Sequence, residues 1–171
     1  MVLRDSISKE QTQPIIHAYV TSRLDQNNSL LSGIPKYLLH RLQKAQNAAA
    51  RVILRGDKRD HVTDLLKELH WLPLSQRRIF KILLLVYKAL NDKGPAYLQA
   101  LLIPKKCPRD LRSSSERLLD VPRTRLKYGD RAFSVAGPTE WNDLPSDIRE
   151  CTTVESFKSA LKTHLFKISY Q

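Results

Sequence analysis

The sequence predicts a mainly α protein, a helical bundle with a small irregular or short-strand segment around 117–128. Three observations carry that expectation. Apolar residues recur at helical spacing through most of the chain. Hydrophobic residues make up 42% of its 171 positions, enough for the core of one ordinary domain or two small ones. Only five glycines are present, which excludes a glycine-rich architecture.

The elements follow in order. Pro14 to Leu31 has helical spacing at Ile15, Ala18, Tyr19, Leu24, Leu30 and Leu31. Pro14 suits the first helical turn, where its missing N–H costs nothing. The polar cluster Asp25-Gln26-Asn27-Asn28-Ser29 has weak helix propensity and marks a kink or break, and Gly33 and Pro35 end the segment. Lys36 to Arg55, closed by Gly56, is the clearest helix. At about 100° per residue, Leu38, Leu42, Ala45, Ala49 and Val52 fall on one apolar stripe. Arg41, Lys44, Arg51 and Arg55 fall within an arc of about 80°, centred roughly 120° round from it. Ala48-Ala49-Ala50 permits close approach of another backbone.

His61 to His70 reads as a short helix that Pro73 breaks. Ser75 is a plausible N-cap for a core helix from Gln76 to about Asn91, whose narrow polar strip holds Arg77, Arg78, Lys81 and Lys88. A brief helix, Ala96 to Leu102, precedes Pro104. Pro104 to Glu116 has the prolines, serines and charge of a surface loop. Leu118 to Tyr128 suits short strands or a hairpin, with Pro122 confining any strand to an edge. Arg131 to Ala136 suits a short helix, followed by an irregular stretch from Pro138 to Pro145. Thr153 to Ser169 is an amphipathic helix capped by Thr153 with Ser156, its stripe formed by Val154, Phe157, Leu161, Leu165 and Ile168.

Charge is the most informative feature. Twenty-nine Lys and Arg stand against 17 Asp and Glu, a net of +12. From Lys36 to Arg59, seven basic residues face Asp57 alone, and from Pro104 to Arg131 nine face four acidic ones. The two segments supply nearly all of the excess. Such clustering favours a binding surface for a polyanion, with nucleic acid the first candidate. Cys107 and Cys151 are too few for a disulfide scaffold and suit a reducing compartment. The start, MVLRDSISKE, lacks the apolar stretch of a signal peptide, and the aliphatic run Ile82 to Val86 is far too short to span a bilayer. An intracellular protein, nuclear or cytoplasmic and without a membrane partner, is expected.

Catalytic chemistry is not indicated. There is no aspartate pair for catalytic metal ions, no glycine-rich phosphate loop and no Cys-x-x-Cys. His17, His40, His61, His70 and His164 lack ligand spacing, and the two cysteines do not complete a zinc set. Asp60-His61 and Glu68 with His70 read as helix-terminus residues rather than acid–base pairs. No enzyme, metal or cofactor is expected. Trp71 and Trp141, each followed shortly by a proline, suit core anchors of a chain reversal better than stacking platforms for a base.

Several separated blocks carry a resemblance. They are SRLDQNNSLLSGIPKYLLHRLQKAQNAAARVI (Ser22 to Ile53), LKELHWLPLSQRRIFKILLLVYKAL (Leu66 to Leu90), PAYL (Pro95 to Leu98), RSSS (Arg112 to Ser115), VPRTRLKYGDRAFSVAGPTEWNDLP (Val121 to Pro145) and FKSALKTHLF (Phe157 to Phe166). In this order they resemble the C-terminal end of the reverse transcriptase polyprotein of LINE-type non-LTR retrotransposons, over nearly the whole chain from about Ser8. The family's endonuclease and its polymerase palm, with a Tyr/Phe-x-Asp-Asp motif, lie upstream of the matched region, so the resemblance implies no activity for this chain. It implies a truncated copy of an element, comprising a helical thumb-like domain (1–103), a linker or surface loop (104–116) and a C-terminal subdomain (117–171). The sequence departs from the usual SRLDYCN at Gln26 and Asn27, and has Gly137 and Thr139-Glu140 where AAPKLWN is usual.

The resemblance and the charge together imply a non-catalytic segment that grips RNA or an RNA–DNA hybrid, with duplex DNA as a further ligand. Phosphates would be held by Lys36, Arg41, Lys44, Arg51, Arg55, Lys58 and Arg59, assisted by Arg109, Arg112, Arg123, Arg125 and Lys127. Six such contacts imply a log–log salt slope of roughly −4 to −5. Arg51→Glu with Arg55→Glu is expected to weaken binding without unfolding the chain. The competing readings are a protein-docking module for an absent polymerase palm and a translated, non-functional element remnant.

Overall fold

A serine three residues ahead of a glutamine starts the first helix. In the computed structural model, which describes residues 7–26, 31–105 and 117–171, the Gln11 N–H donates to Ser8 Oγ at 3.3 Å and the Ser8 N–H donates to Gln11 Oε1 at 3.0 Å. This capping box opens α1 (Lys9–Ile16) well ahead of Pro14, which lies inside the helix and not in its first turn. One π turn (His17–Thr21) leads into α2 (Ser22–Asp25), where the helix ends at the polar cluster.

The long basic helix is α3 (Lys36–Leu54). Its buried residues are Gln46, Ala49, Ala50 and Ile53, while Val52 is 49% exposed and Ala45 is exposed. The packed face is therefore turned by roughly 70° from the predicted stripe. The reason is polar. Gln46, 1% exposed, donates from Nε2 to the Leu72 carbonyl at 2.9 Å, and the Leu74 N–H donates to Gln43 Oε1 at 2.8 Å. The helix closes one residue before Gly56, with Arg55 itself left-handed (φ 55°).

α4 (Val62–Glu68) is followed by the turn through Trp71 and Pro73 into α5 (Leu74–Leu90). Ser75 is the second residue of α5 rather than its cap, because Gln43 already holds the first N–H. After α6 (Ala96–Gln99), a single antiparallel bridge joins Pro104 to Leu119, with the Asp120 N–H donating to the Ile103 carbonyl at 2.7 Å. Most of the expected loop at 104–116 lies outside the described residues. Residues 121–128 form no hairpin and end in a 3₁₀ turn, Gly129–Arg131. α7 (Phe133–Asn142) runs on through Pro138, longer than predicted, then come α8 (Ser146–Arg149) and α9 (Val154–Tyr170). The Thr153–Ser156 cap of α9 is as expected, with the Ser156 N–H donating to Thr153 Oγ1 at 3.1 Å.

α5 is the centre of the larger core. Its Ile82, Leu83, Val86 and Tyr87 pack with Trp141 of α7 and with Phe157, Leu161 and Leu165 of α9. The Tyr87 and Phe157 rings stack at 4.1 Å, and the Tyr87 hydroxyl donates to the Cys151 carbonyl at 2.8 Å. Leu102 and Leu119, from either side of the 104–116 segment, join this one cluster. A smaller core of Ala49, Ala50, Ile53, Leu66 and Trp71 lies between α3, α4 and the end of α9. Trp71 and Leu72, adjacent in the chain, belong to different cores. Among the described residues, no helix is long and apolar enough to cross a membrane.

Candidate nucleic-acid interface and an aromatic cavity

With its packed face turned, α3 presents its basic stripe almost directly away from the core. Lys36, Arg41 and Lys44 are exposed, as are Lys58 and Arg59 in the following turn. Among the described residues none of these five forms an ion pair. Arg51 and Arg55 are placed differently. Arg51 donates from Nε to the Asp57 carbonyl at 3.2 Å and from Nη2 to the Asp60 carbonyl at 3.4 Å. Asp60 closes the same turn by accepting from the Asp57 N–H at 2.6 Å. Arg55 donates to the Ile7 carbonyl at 3.0 Å, tying the start of the described chain to the end of α3. Arg51 thus shapes the turn that displays Lys58 and Arg59, while Arg55 anchors the segment before α1.

The second basic group approaches the first. Arg123, Arg125 and Lys127 are exposed in the irregular segment after the bridge. That segment lies against the turn leading into α3: Ser32 lines the same shallow pocket as Val121 to Thr124. A Cβ on Gly33 (φ 69°) would stand 2.7 Å from Arg131 Cγ, so only glycine fits there. Arg131 also lies over the Tyr128 ring at 4.9 Å. Arg109 and Arg112 lie outside the described residues.

The basic edge of α5 divides in two. Arg77 grips Asp25 with both ends of its fork, Nε to Oδ1 at 2.9 Å, and ties α2 to α5. Arg78 lies 3.9 Å from Glu140 of α7 and donates to the Leu31 carbonyl at 3.4 Å. Burial pushes the Glu140 carboxyl up, with Arg78 opposing the rise. Lys81 remains exposed.

Lys81 borders a feature that residue spacing did not indicate. A cavity of about 490 Å³ opens beside Trp71 and Phe80, rimmed by His17, His70, Lys81 and Lys162. Those residues lie far apart in the sequence, so no local motif marks them. His17 begins the π turn, and His70 is left-handed (φ 53°) with its ring stacked on Phe166 at 6.0 Å. Trp71 and Trp141 are core anchors, 7% and 1% exposed, and the Trp141 indole donates to the Arg117 carbonyl at 2.8 Å.

No family model, curated protein or solved structure matches the chain. The chemistry is thus read from the geometry alone. Exposed cations that form no ion pair among the described residues hold anions through charge, and carry no base-specific contact. Among the described residues, no three or more His, Cys, Asp or Glu side chains are grouped to hold a metal ion.

Proposed function

We propose that this chain is a non-catalytic nucleic-acid-binding segment, corresponding to the C-terminal part of a retrotransposon reverse transcriptase. It grips RNA or an RNA–DNA hybrid along the phosphate backbone. The observation that supports this is the outward face of α3, where Lys36, Arg41 and Lys44 stand exposed and without ion pairs among the described residues. Lys58 and Arg59 extend the face at one end, and the 123–127 segment approaches its other end. Five phosphate contacts from Lys36 to Arg59 give a log–log salt slope of roughly −3.5 to −4.5. Fluorescence anisotropy with single-stranded RNA, duplex DNA and an RNA–DNA hybrid, titrated with salt, tests it. A steep slope with preference for RNA or hybrid supports the grip; a flat slope without preference overturns it.

One observation favours a second role, docking on a polymerase palm. Ile15 and Val52, 46% and 49% exposed, flank an open apolar groove of about 650 Å³ between α1 and α3. A chain that uses this groove self-associates when isolated and becomes monomeric when Val52 is changed to Asp. Sedimentation across a concentration series separates the two roles.

A further inference from the structure

The geometry points to a binding site for one nucleotide unit, a planar base with its 5′-phosphate, in the cavity beside Trp71. This inference stands apart from the α3 grip, which touches only backbone phosphates.

Size is the first support. About 490 Å³ lies within the usual range for small-ligand pockets and exceeds the volume of a nucleoside monophosphate. Chemistry is the second. Phe80, half-buried, gives the cavity an aromatic edge against which a flat base is sheltered from water, above a floor of the buried Trp71, whose ring His17 faces at 5.5 Å. Lys81 from α5 and Lys162 from α9 are exposed at its rim and form no ion pair among the described residues. Asp25 is the one carboxylate lining the cavity, and the Arg77 fork already holds it. An anion entering here meets uncompensated positive charge.

The two histidines are the third. His70 is the left-handed residue that stops α4, its N–H donating to the Lys67 carbonyl at 3.0 Å and the Trp71 N–H to the Leu66 carbonyl at 2.9 Å, and this stop sets the imidazole at the cavity rim. Its Nδ1 lies 3.2 Å from the Glu68 carbonyl, so that nitrogen donates and Nε2 is left for a ligand. His17 begins a π turn, an interruption that recurs at functional sites in helices. Both imidazoles line the cavity, where one ligand can meet the two rings. The ligand's phosphate is assigned to Lys81 and Lys162, and its ribose hydroxyls to the histidines.

Binding is measured calorimetrically on the full chain with adenosine and uridine 5′-monophosphates. Adenosine, ribose 5-phosphate and inorganic phosphate serve as fragments, and a trinucleotide with and without a 5′-phosphate tests a strand end as the source of the unit. Saturable binding of a monophosphate is expected, weakened about tenfold or more by removing either base or phosphate. Lys81→Glu with Lys162→Glu, both exposed positions, lowers affinity by a similar factor with an unchanged circular dichroism spectrum. Arg41→Glu with Lys44→Glu changes monophosphate binding less than about twofold. Tighter binding of the 5′-phosphorylated trinucleotide than of the monophosphate identifies a strand end; the reverse identifies a free nucleotide. Absence of saturation, equal binding of inorganic phosphate, or binding indifferent to the lysine pair overturns the site, whatever the α3 face does.

Discussion

Two pairs of charge reversals on one helix should behave in opposite ways. Arg41 and Lys44 are exposed and without ion pairs among the described residues, so changing both to Glu alters stability by less than about 0.5 kcal/mol. Under the proposed grip, removing two phosphate contacts lowers the steepness of the salt slope by about 1.4–1.8. Arg51 and Arg55 together donate to the carbonyls of Asp57, Asp60 and Ile7 at 3.2, 3.4 and 3.0 Å. Those contacts are long and near the surface, so each counts as an ordinary hydrogen bond of just under about 1 kcal/mol rather than a charged one, and their loss costs roughly 2–3 kcal/mol in all. For a chain of this size the melting temperature falls by roughly 4–12 °C. A glutamate at position 51 also faces the turn that carries Asp57 and Asp60. Urea melts and anisotropy salt titrations on both double variants supply the comparison. Equal loss of stability in the two, or an unchanged salt slope for Arg41→Glu with Lys44→Glu, refutes this division of labour. The simpler expectation from the helical wheel, that all four cations are interchangeable grips, predicts no such difference.

Other perturbations test the packing. Gln46→Leu strips the Leu72 carbonyl of its donor and Gln43 of an acceptor, at a cost of about 2–4 kcal/mol; the urea midpoint should fall at constant m. A loss below about 0.5 kcal/mol would mean that the bond is dispensable. Gly137→Ala sets a Cβ 3.0 Å from Val86 Cγ2 on a fully buried side chain, and the overpacking cost of about 1–3 kcal/mol outweighs the gain in helix propensity. Val86→Ala in that background should then cost less than in the wild type, and additive effects would count against the clash. The Tyr170 hydroxyl donates to the Trp71 carbonyl at 2.5 Å, and burial pushes its pKa from 10.0 up to about 12. The fold favours the neutral phenol, so this contribution is complete below pH 10 and is lost as pH rises towards 12. Tyr170→Phe should flatten the alkaline stability profile over that window, and an unchanged profile would sink the assignment.

The bundle was legible because α5 and α9 carry long apolar patterns with simple ends, Pro73 at one and the Thr153–Ser156 box at the other. The rotation of α3 was not. A helical wheel places glutamine outside, yet Gln46 is buried because its partner is a carbonyl 26 residues away. Ser8 and Gln11 did form a readable capping signal, but Pro14 offered a competing start and drew the boundary inward. At Pro138, local propensity argued for an end to α7, whereas burial of Gly137, Pro138 and Trp141 carries the helix through. The exposed cations of α3 could be found from charge spacing alone. Arg51 and Arg55 could not be separated from them without the 57–60 turn and the Ile7 carbonyl that receive their hydrogen bonds. His17, His70, Lys81 and Lys162 meet only through tertiary packing.

The turn at Trp71 and Leu72 ties these features together. The Trp71 carbonyl accepts from Tyr170 of α9, the Leu72 carbonyl accepts from Gln46 of α3, and the Leu74 N–H donates to Gln43 of α3. The turn's polar groups are thus held from two helices, while its two apolar side chains enter different cores. Such a joint fixes the attitude of α3, and with it the outward cationic face, relative to the α5, α7 and α9 core. It also forms one wall of the cavity. A substitution at Trp71 or Gln46 therefore disturbs the grip, the cavity and the fold at once, and its effect on binding says little about any one of them. The exposed pairs are free of that coupling. Arg41 with Lys44 reports on the proposed phosphate grip, Lys81 with Lys162 reports on the cavity, and neither pair supports the joint.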